Sequence, residues 1–143
     1  MEFGYIGINY KNADQDIRDG VSFTDNGKID FMEKAADAGI SQCMVLSTCN
    51  RSEVYYLVQN TEEHKTMERL YRGNFSAICL DEYLDFRSGK EAIAYLFRVT
   101  AGLESMVLGE DQILGQVRNA YFLAMESGYT KTTFHCLFQS AIT

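Results

Sequence analysis

The chain has 143 residues, of which 46% are hydrophobic and 23% charged, a size and mixture typical of one globular domain. It has no apolar run of about 18 residues and no basic segment followed by an apolar stretch at its start. We therefore predict neither a transmembrane helix nor a signal peptide, and we expect a cytoplasmic protein. A net charge of −7 argues against a broad nucleic-acid-binding face, but it leaves room for a local basic site.

The cysteines are scattered along the sequence, and none belongs to a C-x-x-C pair. Neither histidine lies close to a cysteine pair, so the sequence offers no typical zinc ligand set and we predict no metal. In a reducing compartment most of these thiols are expected to be buried and inert, with at most one or two taking part in chemistry. The residues concerned are Cys43, Cys49, Cys79, Cys136, His64 and His135.

The first half of the chain shows three patterns typical of β-strands. One alternates apolar with small or polar residues, the second is a short continuous apolar run, and the third is rich in β-branched and aromatic side chains. Between and after them, apolar residues recur at helical spacing. The predicted strands are residues 3–10, 42–47 and 53–59, with a short edge strand near 83–86, and the predicted helices are residues 28–38 and a segment beginning at Thr61.

The second half is helical from Ser88 onward. Ser88 and Glu91 match a capping box, and three amphipathic patterns follow, the last of which reaches the end of the chain without a cap, as in a piece of a longer protein. The apolar stripe of the first helix is Ile93, Leu96, Phe97 and Thr100. The second helix begins near Gln112 and ends at Gly128, and its stripe is Ile113, Val117, Ala120, Tyr121 and Ala124. The stripe of the third helix is Phe134, Leu137, Phe138 and Ala141. Strands followed by helices predict an α+β fold, a ferredoxin-like split β-α-β sheet with a C-terminal helical extension.

Cys49 is the first candidate for chemistry, because it lies between two predicted strands in the run Ser47-Thr48-Cys49-Asn50-Arg51. A turn there can expose a side chain while the strands hold its backbone, and a nearby cation such as Arg51 favours the nucleophilic thiolate. On spacing alone, the commoner outcome is a buried, inert cysteine with the arginine in a surface pair.

Residues 102–116 form a second unusual segment, with three glycines and with polar residues between strongly apolar ones. Glu110, Asp111 and Gln112 fall at a predicted helix start, where free N–H groups and the helix dipole favour a carboxylate. Taken alone, a plain joint between two helices with a capping acid is the simpler explanation. No glycine pattern matches G-x-G-x-x-G or a phosphate-binding loop, so no dinucleotide site is predicted in this chain.

Two long motifs carry a resemblance to a known family. The runs MVLSTCNRSEVY and LFRVTAGLESMVLGEDQILGQVRNAY, preceded by GINYKNA, resemble in the same order the motifs of glutamyl-tRNA reductases, and they are spread over residues 4–126. The resemblance implies that residues 1–143 are the N-terminal catalytic domain of such an enzyme. It also implies that the NADPH-binding domain and the dimerisation helix lie outside this chain, so the full-length protein would be a homodimer, while a monomer stays open for this chain.

In that family a cysteine thiolate attacks the ester that joins glutamate to the 3′ end of its tRNA, and NADPH then reduces the thioester to glutamate-1-semialdehyde, a precursor of tetrapyrroles such as heme. By position, the resemblance implies that Cys49 is the nucleophile. It implies that Arg51 holds the carboxylate of the glutamate side chain, a task suited to a guanidinium fork. The other residues implied to line the substrate pocket are Thr48, Asn50, Ser105, Glu110 and Gln112.

Tyr95 stands where members of the family usually carry a histidine that has been considered a general acid or base. Either Tyr95 takes over part of that role, or the histidine is dispensable, or activity is reduced. A further interpretation of Tyr95 is a core aromatic residue on a helix.

Two further hypotheses about the function of the chain stay open. One is a catalytically impaired module that still binds glutamyl-tRNA, and the other is a redox-sensing pair of Cys43 with Cys49, which need not meet in space.

Overall fold

The computed structural model describes residues 1–106 and 112–142, which form one four-stranded sheet and six helices. The strands are β1 (Glu2–Asn9), β2 (Gln42–Ser47), β3 (Arg51–Val58) and β4 (Asp85–Ser88), and the helices are α1 (Gln15–Gly20), α2 (Asp25–Asp37), α3 (Thr61–Asn74), α4 (Gly89–Thr100), α5 (Gln112–Glu126) and α6 (Thr132–Ile142). Within these residues, no helix combines the length and the apolar character needed to cross a bilayer.

The strand order in the sheet is β2-β3-β1-β4, and each pair of neighbours is antiparallel. β1 and β2 therefore run in the same direction with β3 between them, and α1 and α2 lie in the connection from one to the other. The register places Arg51 opposite Asn9 and Ser52 opposite Ser47. As a result, the end of β1 meets the hairpin that joins β2 to β3.

Both faces of the sheet are covered by helices, and side chains that alternate along the strands enter two apolar layers. On one face Phe3 packs against Phe134 of α6. On the other face Tyr56 packs against His64 of α3. Because both faces are covered, β1 and β3 are buried along almost their whole length. The mixture of strands and helices predicted from the sequence is confirmed.

Local patterns locate some elements well and miss one. β2 has the predicted bounds, and α5 buries the predicted stripe from Ile113 to Ala124. The sequence did not predict α1, because its six residues bury no side chain and so leave no apolar periodicity to detect.

Helix α4 buries only part of the stripe predicted for it, namely Leu96 and Thr100. Phe97 was expected on the core face, but it is 38% exposed. The predicted capping box is also wrong, since Ser88 occupies the cap position without a side-chain hydrogen bond and Glu91 pairs with Arg87 at 3.1 Å. Tyr95 packs against Tyr5 of the sheet. The buried stripe is Ala92, Tyr95, Leu96, Val99 and Thr100.

Candidate active site

Cys49 lies at the tip of the hairpin that joins β2 to β3, and its side chain is exposed. The N–H of Thr48 donates to the carbonyl of Arg51 (2.8 Å), and the N–H of Asn50 donates to the hydroxyl of Thr48 (3.1 Å). Paired strands on both sides hold such a short turn in place. The hairpin therefore presents the thiol to solvent on a well-defined backbone.

Arg18 of α1 braces this hairpin. Its Nε–H donates to the carbonyl of Cys49 (3.2 Å), and its Nη1 donates to the carbonyl of Ala13 (2.8 Å). These bonds tie the chain that follows β1 to the turn that carries the thiol. Sequence reasoning missed Arg18, because α1 leaves no apolar pattern and the contact joins residues that are distant in the chain.

A small cleft runs beside Cys49, between the hairpin tip and the beginning of α5. Its volume is about 30 Å³, room for roughly two waters. The cleft brings together the predicted residues Thr48, Cys49, Asn50, Arg51, Ser105 and Gln112. Glu110, the remaining predicted pocket residue, lies outside the described residues.

Arg51 forms part of the cleft wall although only 2% of its surface is exposed. Its Nη1 lies 3.0 Å from a carboxylate oxygen of the fully buried Glu53, and its Nη2 donates to the carbonyl of Glu104 (2.6 Å). Burial by itself would lower the pKa of Arg51, but Glu53 and nearby tyrosines hold that pKa above its usual value, so the guanidinium stays charged. The arginine is thus in a buried ion pair, and not in the surface pair that spacing alone suggested.

Glu53 is held by hydroxyl groups as well as by the arginine. Tyr5 and Tyr95 donate to its Oε2 (2.8 and 3.1 Å), and Tyr55 donates to its Oε1 (3.0 Å). A buried carboxylate needs such donors, because the loss of hydration is otherwise costly. In the described part of the chain, no buried side-chain nitrogen or oxygen lacks a hydrogen-bond partner. Sequence reasoning gave Glu53 no role, although an acid within the cysteine motif, in a strongly apolar strand, was a usable signal.

Tyr95 belongs to this buried network and is 1% exposed. Its hydroxyl donates to Glu53 and accepts a hydrogen bond from Nδ2 of Asn9 (3.3 Å). Burial, reinforced by the Glu53 carboxylate, raises the pKa of Tyr95 above its usual value of 10.0, so the hydroxyl stays protonated at neutral pH. Tyr95 is not among the described residues that line the Cys49 cleft. Its hydroxyl is therefore placed to orient Glu53.

Glu104 connects three parts of the chain beside the cleft. Its carboxylate lies 2.7 Å from Nζ of Lys11 and 3.1 Å from Nε of Arg98, and its carbonyl accepts the bond from Arg51. Partial burial tends to raise the pKa of Glu104, but the hydrogen bonds from Lys11 and Arg98 lower it below its usual value of 4.5. The ionised carboxylate therefore ties the loop after β1 to the segment that carries Ser105.

Cys43 lies near the opposite end of β2 from the hairpin tip, and it is buried. Burial raises the pKa of its thiol, which makes that thiol a poor nucleophile. From Cys43 to the end of the strand at Ser47 the chain rises by about 13 Å, and Cys49 lies beyond that end, whereas a disulfide needs α-carbons within about 7 Å. The hypothesis of a redox pair between Cys43 and Cys49 is therefore wrong.

The arrangement as a whole suits attack of a thiol on a carbonyl carbon. Hydroxyl and amide groups of Thr48, Asn50 and Gln112 surround the cleft and can orient a polar acyl group. The charged Arg51 supplies a partner for a carboxylate. Among the described residues, no group of three or more His, Cys, Asp or Glu side chains is placed to hold a metal ion.

Comparison with known proteins identifies the family. The family described as "Glutamyl-tRNAGlu reductase, N-terminal domain" matches residues 6–143. The chain belongs to this family. A glutamyl-tRNA reductase of Clostridium novyi (strain NT) is 40% identical over 144 residues, which cover 100% of this chain and 35% of that protein. One of Staphylococcus aureus (strain JH9) is 41% identical over 147 residues, which cover 100% of this chain and 33% of that protein.

A solved glutamyl-tRNA reductase structure has the same fold. The structure from Methanopyrus kandleri superposes with a TM-score of 0.79 at 30% sequence identity, over 98% of this chain and 32% of that one. The resemblance inferred from the two long motifs is thereby confirmed. The chain spans about one third of the length of the relatives it matches.

Proposed function

We propose that this chain is the catalytic domain of an NADPH-dependent glutamyl-tRNA reductase, in which the Cys49 thiolate attacks the aminoacyl ester of glutamyl-tRNA. The observation that carries the proposal is the exposed thiol at a rigid hairpin tip, beside a cleft lined by polar motif residues. Membership of the family supports it. NADPH then reduces the resulting thioester to glutamate-1-semialdehyde, which enters tetrapyrrole biosynthesis in the cytoplasm.

The proposed step forms one bond and breaks one. The sulfur of Cys49 bonds to the glutamyl carbonyl carbon, and the bond from that carbon to the ribose oxygen breaks. The ribose oxygen takes up a proton in place of the one lost by the thiol, so the tRNA leaves as a free alcohol. The thioester that remains is a better hydride acceptor than the ester, and neither carbon nor sulfur has changed oxidation state.

Arg51 is proposed to hold the side-chain carboxylate of the glutamyl group. Glu53 and the carbonyl of Glu104 fix the guanidinium before substrate arrives, so little side-chain freedom is lost on binding. The remaining proposed contacts that line the cleft are Thr48, Asn50, Ser105 and Gln112. Glu110 is proposed as a further contact on the family resemblance alone.

The hydride step is assigned to parts of the protein outside this chain. The 143 residues contain no G-x-G-x-x-G turn, so they offer no fit for a dinucleotide pyrophosphate. Because the relatives are about three times as long as this chain, we assign NADPH binding and dimerisation to the additional length. Residues 1–143 are then the catalytic domain of a homodimeric full-length enzyme.

We also assign the sheet to the ferredoxin-like class. Strands β1 and β2 run parallel with antiparallel β3 between them, as in a split β-α-β unit, and β4 pairs with the other edge of β1. Helix α3 makes the second crossover, from β3 to β4. Helices α4 to α6 are then the C-terminal extension.

Replacing Cys49 by serine tests the nucleophile. Serine stays protonated without a strong base, so Cys49→Ser should keep the fold and lose ester cleavage of glutamyl-tRNA. Mass spectrometry after rapid acid quenching should find a glutamyl group on the wild-type chain and none on the variant. Cys79→Ser changes another exposed cysteine, outside the cleft, and should retain activity. Full ester cleavage by Cys49→Ser would contradict the proposal that Cys49 is the nucleophile.

A second candidate is a module that binds glutamyl-tRNA but no longer reacts. It is favoured by one observation, since Tyr95 stands where the family usually has a histidine and its hydroxyl is buried against Glu53. Binding of glutamyl-tRNA at low salt, measured together with the mass of the quenched chain, separates the two candidates. Tight binding with no glutamyl group on Cys49 would favour the module.

A further inference from the structure

A second, larger cleft adjoins the cleft beside Cys49. It has a volume of about 440 Å³ and lies between α2, the end of β2 and one face of α5. Gln116 lines both clefts, and Ser47 of the larger cleft is followed directly by Thr48 of the smaller one. The two cavities are therefore neighbouring compartments along α5.

The wall contributed by α5 combines two amides with an aromatic ring. Gln116, Asn119 and Phe122 follow one another every third residue, so they lie along one side of the helix. The ring of Phe122 is 41% exposed. In the described part of the chain, no side-chain hydrogen bond engages either amide. An accessible ring beside two exposed amides suits a planar, polar ligand.

The charges of the larger cleft argue against a phosphate as its occupant. Asp25 and Glu126 contribute carboxylates to its lining. The single lysine there, Lys28, has its ammonium group 3.4 Å from Asp25. Such a lining repels a sugar-phosphate backbone but not an uncharged base.

We propose that the larger cleft binds the terminal adenosine of the tRNA, with its base stacked on Phe122 and its edge read by Gln116 and Asn119. The inference rests on the proposed function, because the ester that Cys49 attacks is carried by the ribose of that nucleoside. Because Gln116 lines both clefts and Ser47 adjoins Thr48, a nucleoside esterified at Cys49 has the larger cleft as the neighbouring site for its base. Amide side chains pair with the donor and acceptor of an adenine edge, and aromatic rings stack on bases.

A kinetic test compares two esters with the same glutamyl group, one on the 3′ oxygen of adenosine and one on a ribose ring that lacks a base. For the wild-type chain we expect kcat/KM for acylation of Cys49 to be roughly tenfold higher with the adenosine ester, the effect of one stacked base. Phe122→Ala and Asn119→Ala should each bring the ratio of kcat/KM between the adenosine ester and the ester without a base close to one. Met125→Ala removes an exposed apolar side chain of α5 outside the cleft and should keep the ratio. A full base preference in both cleft variants would overturn the inference.

A binding measurement that needs no chemistry separates this inference from the proposed function. Adenosine added to the isotope-labelled chain should shift the side-chain amide signals of Gln116 and Asn119 in NMR spectra, and uridine should shift them less. Such shifts without acylation of Cys49 by either ester would reject the proposed function and keep the base site. Acylation at equal rates by both esters, with no shift on adding adenosine, would reject the base site and keep the proposed function.

Discussion

Arg51 and Glu53 form a buried ion pair, and its contribution to the stability of the fold depends on the groups that surround it. Taking two charges out of water costs several kcal/mol for each ion, and only good geometry with further hydrogen bonds offsets that cost. Here Glu53 receives three tyrosine hydroxyls, and the guanidinium also donates to the carbonyl of Glu104. The surroundings therefore hold Arg51 in one orientation at the wall of the Cys49 cleft.

Arg51→Lys tests whether this orientation serves substrate selection. Lysine keeps the charge but cannot contact a carboxylate with two parallel N–H groups, so we expect discrimination between glutamyl- and glutaminyl-tRNA to fall. The loss of transition-state binding for the glutamyl substrate should be on the order of 2–4 kcal/mol. Arg98→Lys is the matched control, because Arg98 also contacts Glu104 but does not line the cleft. Unchanged discrimination in Arg51→Lys would rule out the role.

Tyr95→Phe distinguishes a positioning role from acid–base catalysis. Loss of a hydrogen bond to the buried Glu53 carboxylate should lower the free energy of unfolding by about 1.5–3 kcal/mol. A general acid or base would instead contribute roughly 10²-fold or more to acyl transfer. We expect a loss of stability with an acylation rate reduced by much less than that factor. Tyr5→Phe removes another donor to the same carboxylate oxygen and should behave alike; a large rate loss confined to Tyr95→Phe would contradict this account.

At the level of secondary-structure elements, the candidate site depends on a junction between the β2–β3 hairpin and the turns that follow α4. Arg51 reaches from the beginning of β3 to the carbonyl of Glu104, and the carboxylate of Glu104 reaches Lys11 beyond β1 and Arg98 in α4. Three elements thus meet at one residue. This junction sets the position of Ser105 relative to Cys49.

The junction should make stability depend on pH in a defined direction. Lys11 and Arg98 hold the pKa of Glu104 below its unfolded value near 4.5, so the ionised carboxylate stabilises the fold above pH 4.5. This contribution is lost as the pH falls through the lower, folded pKa. Glu104→Gln should therefore reduce the free energy of unfolding at neutral pH. The gap, meaning the difference in free energy of unfolding between the wild type and this variant, should disappear at acid pH.

The size of that gap is limited because both cationic partners are more than one third exposed. We expect no more than about 1 kcal/mol at neutral pH. Urea unfolding of both proteins across the acid range measures the gap. Glu91→Gln, which changes a highly exposed acid paired with Arg87, is the control and should show almost none. A gap that stays constant from neutral to acid pH would show that Glu104 acts without its charge.

For the molecule as a whole, the net charge of −7 contrasts with the polyanion that we propose as substrate. Phosphate contacts require cations, and a protein that neutralises phosphates binds nucleic acid less well as salt rises. The chain is also only about one third as long as its relatives. We therefore expect this chain alone to bind glutamyl-tRNA weakly, and measurably only at low salt.

The same division of the protein predicts which products the chain can make. Given glutamyl-tRNA at low salt, it should form a thioester at Cys49 that water slowly hydrolyses to glutamate and free tRNA. It should make no glutamate-1-semialdehyde even with excess NADPH, because hydride transfer requires the donor to be held against the thioester carbon. Chromatography of products from labelled glutamate follows both outcomes. Semialdehyde formed by these 143 residues alone would show that the assignment of the hydride step is wrong.

Local patterns in the sequence were enough to locate the elements whose burial follows one simple period. The apolar run of β2 and the helical stripe of α5 are examples, since each depends on neighbours within a few residues. The placement of Cys49 between two strands followed from the same patterns. The pocket residues Ser105 and Gln112 came from the resemblance to a family, because no local pattern connects them with Cys49.

The buried network could not be read from the sequence. An acid in an apolar strand marks Glu53 as unusual, but the sequence does not show that Tyr5, Tyr55 and Tyr95 converge on it from β1, β3 and α4. In the same helix Tyr95 is buried and Phe97 is exposed, against its apolar pattern. Spacing along the chain reports only contacts within one element. Which polar groups pair across elements depends on how the sheet and helices pack, because each buried charge must find its donors wherever the fold brings them.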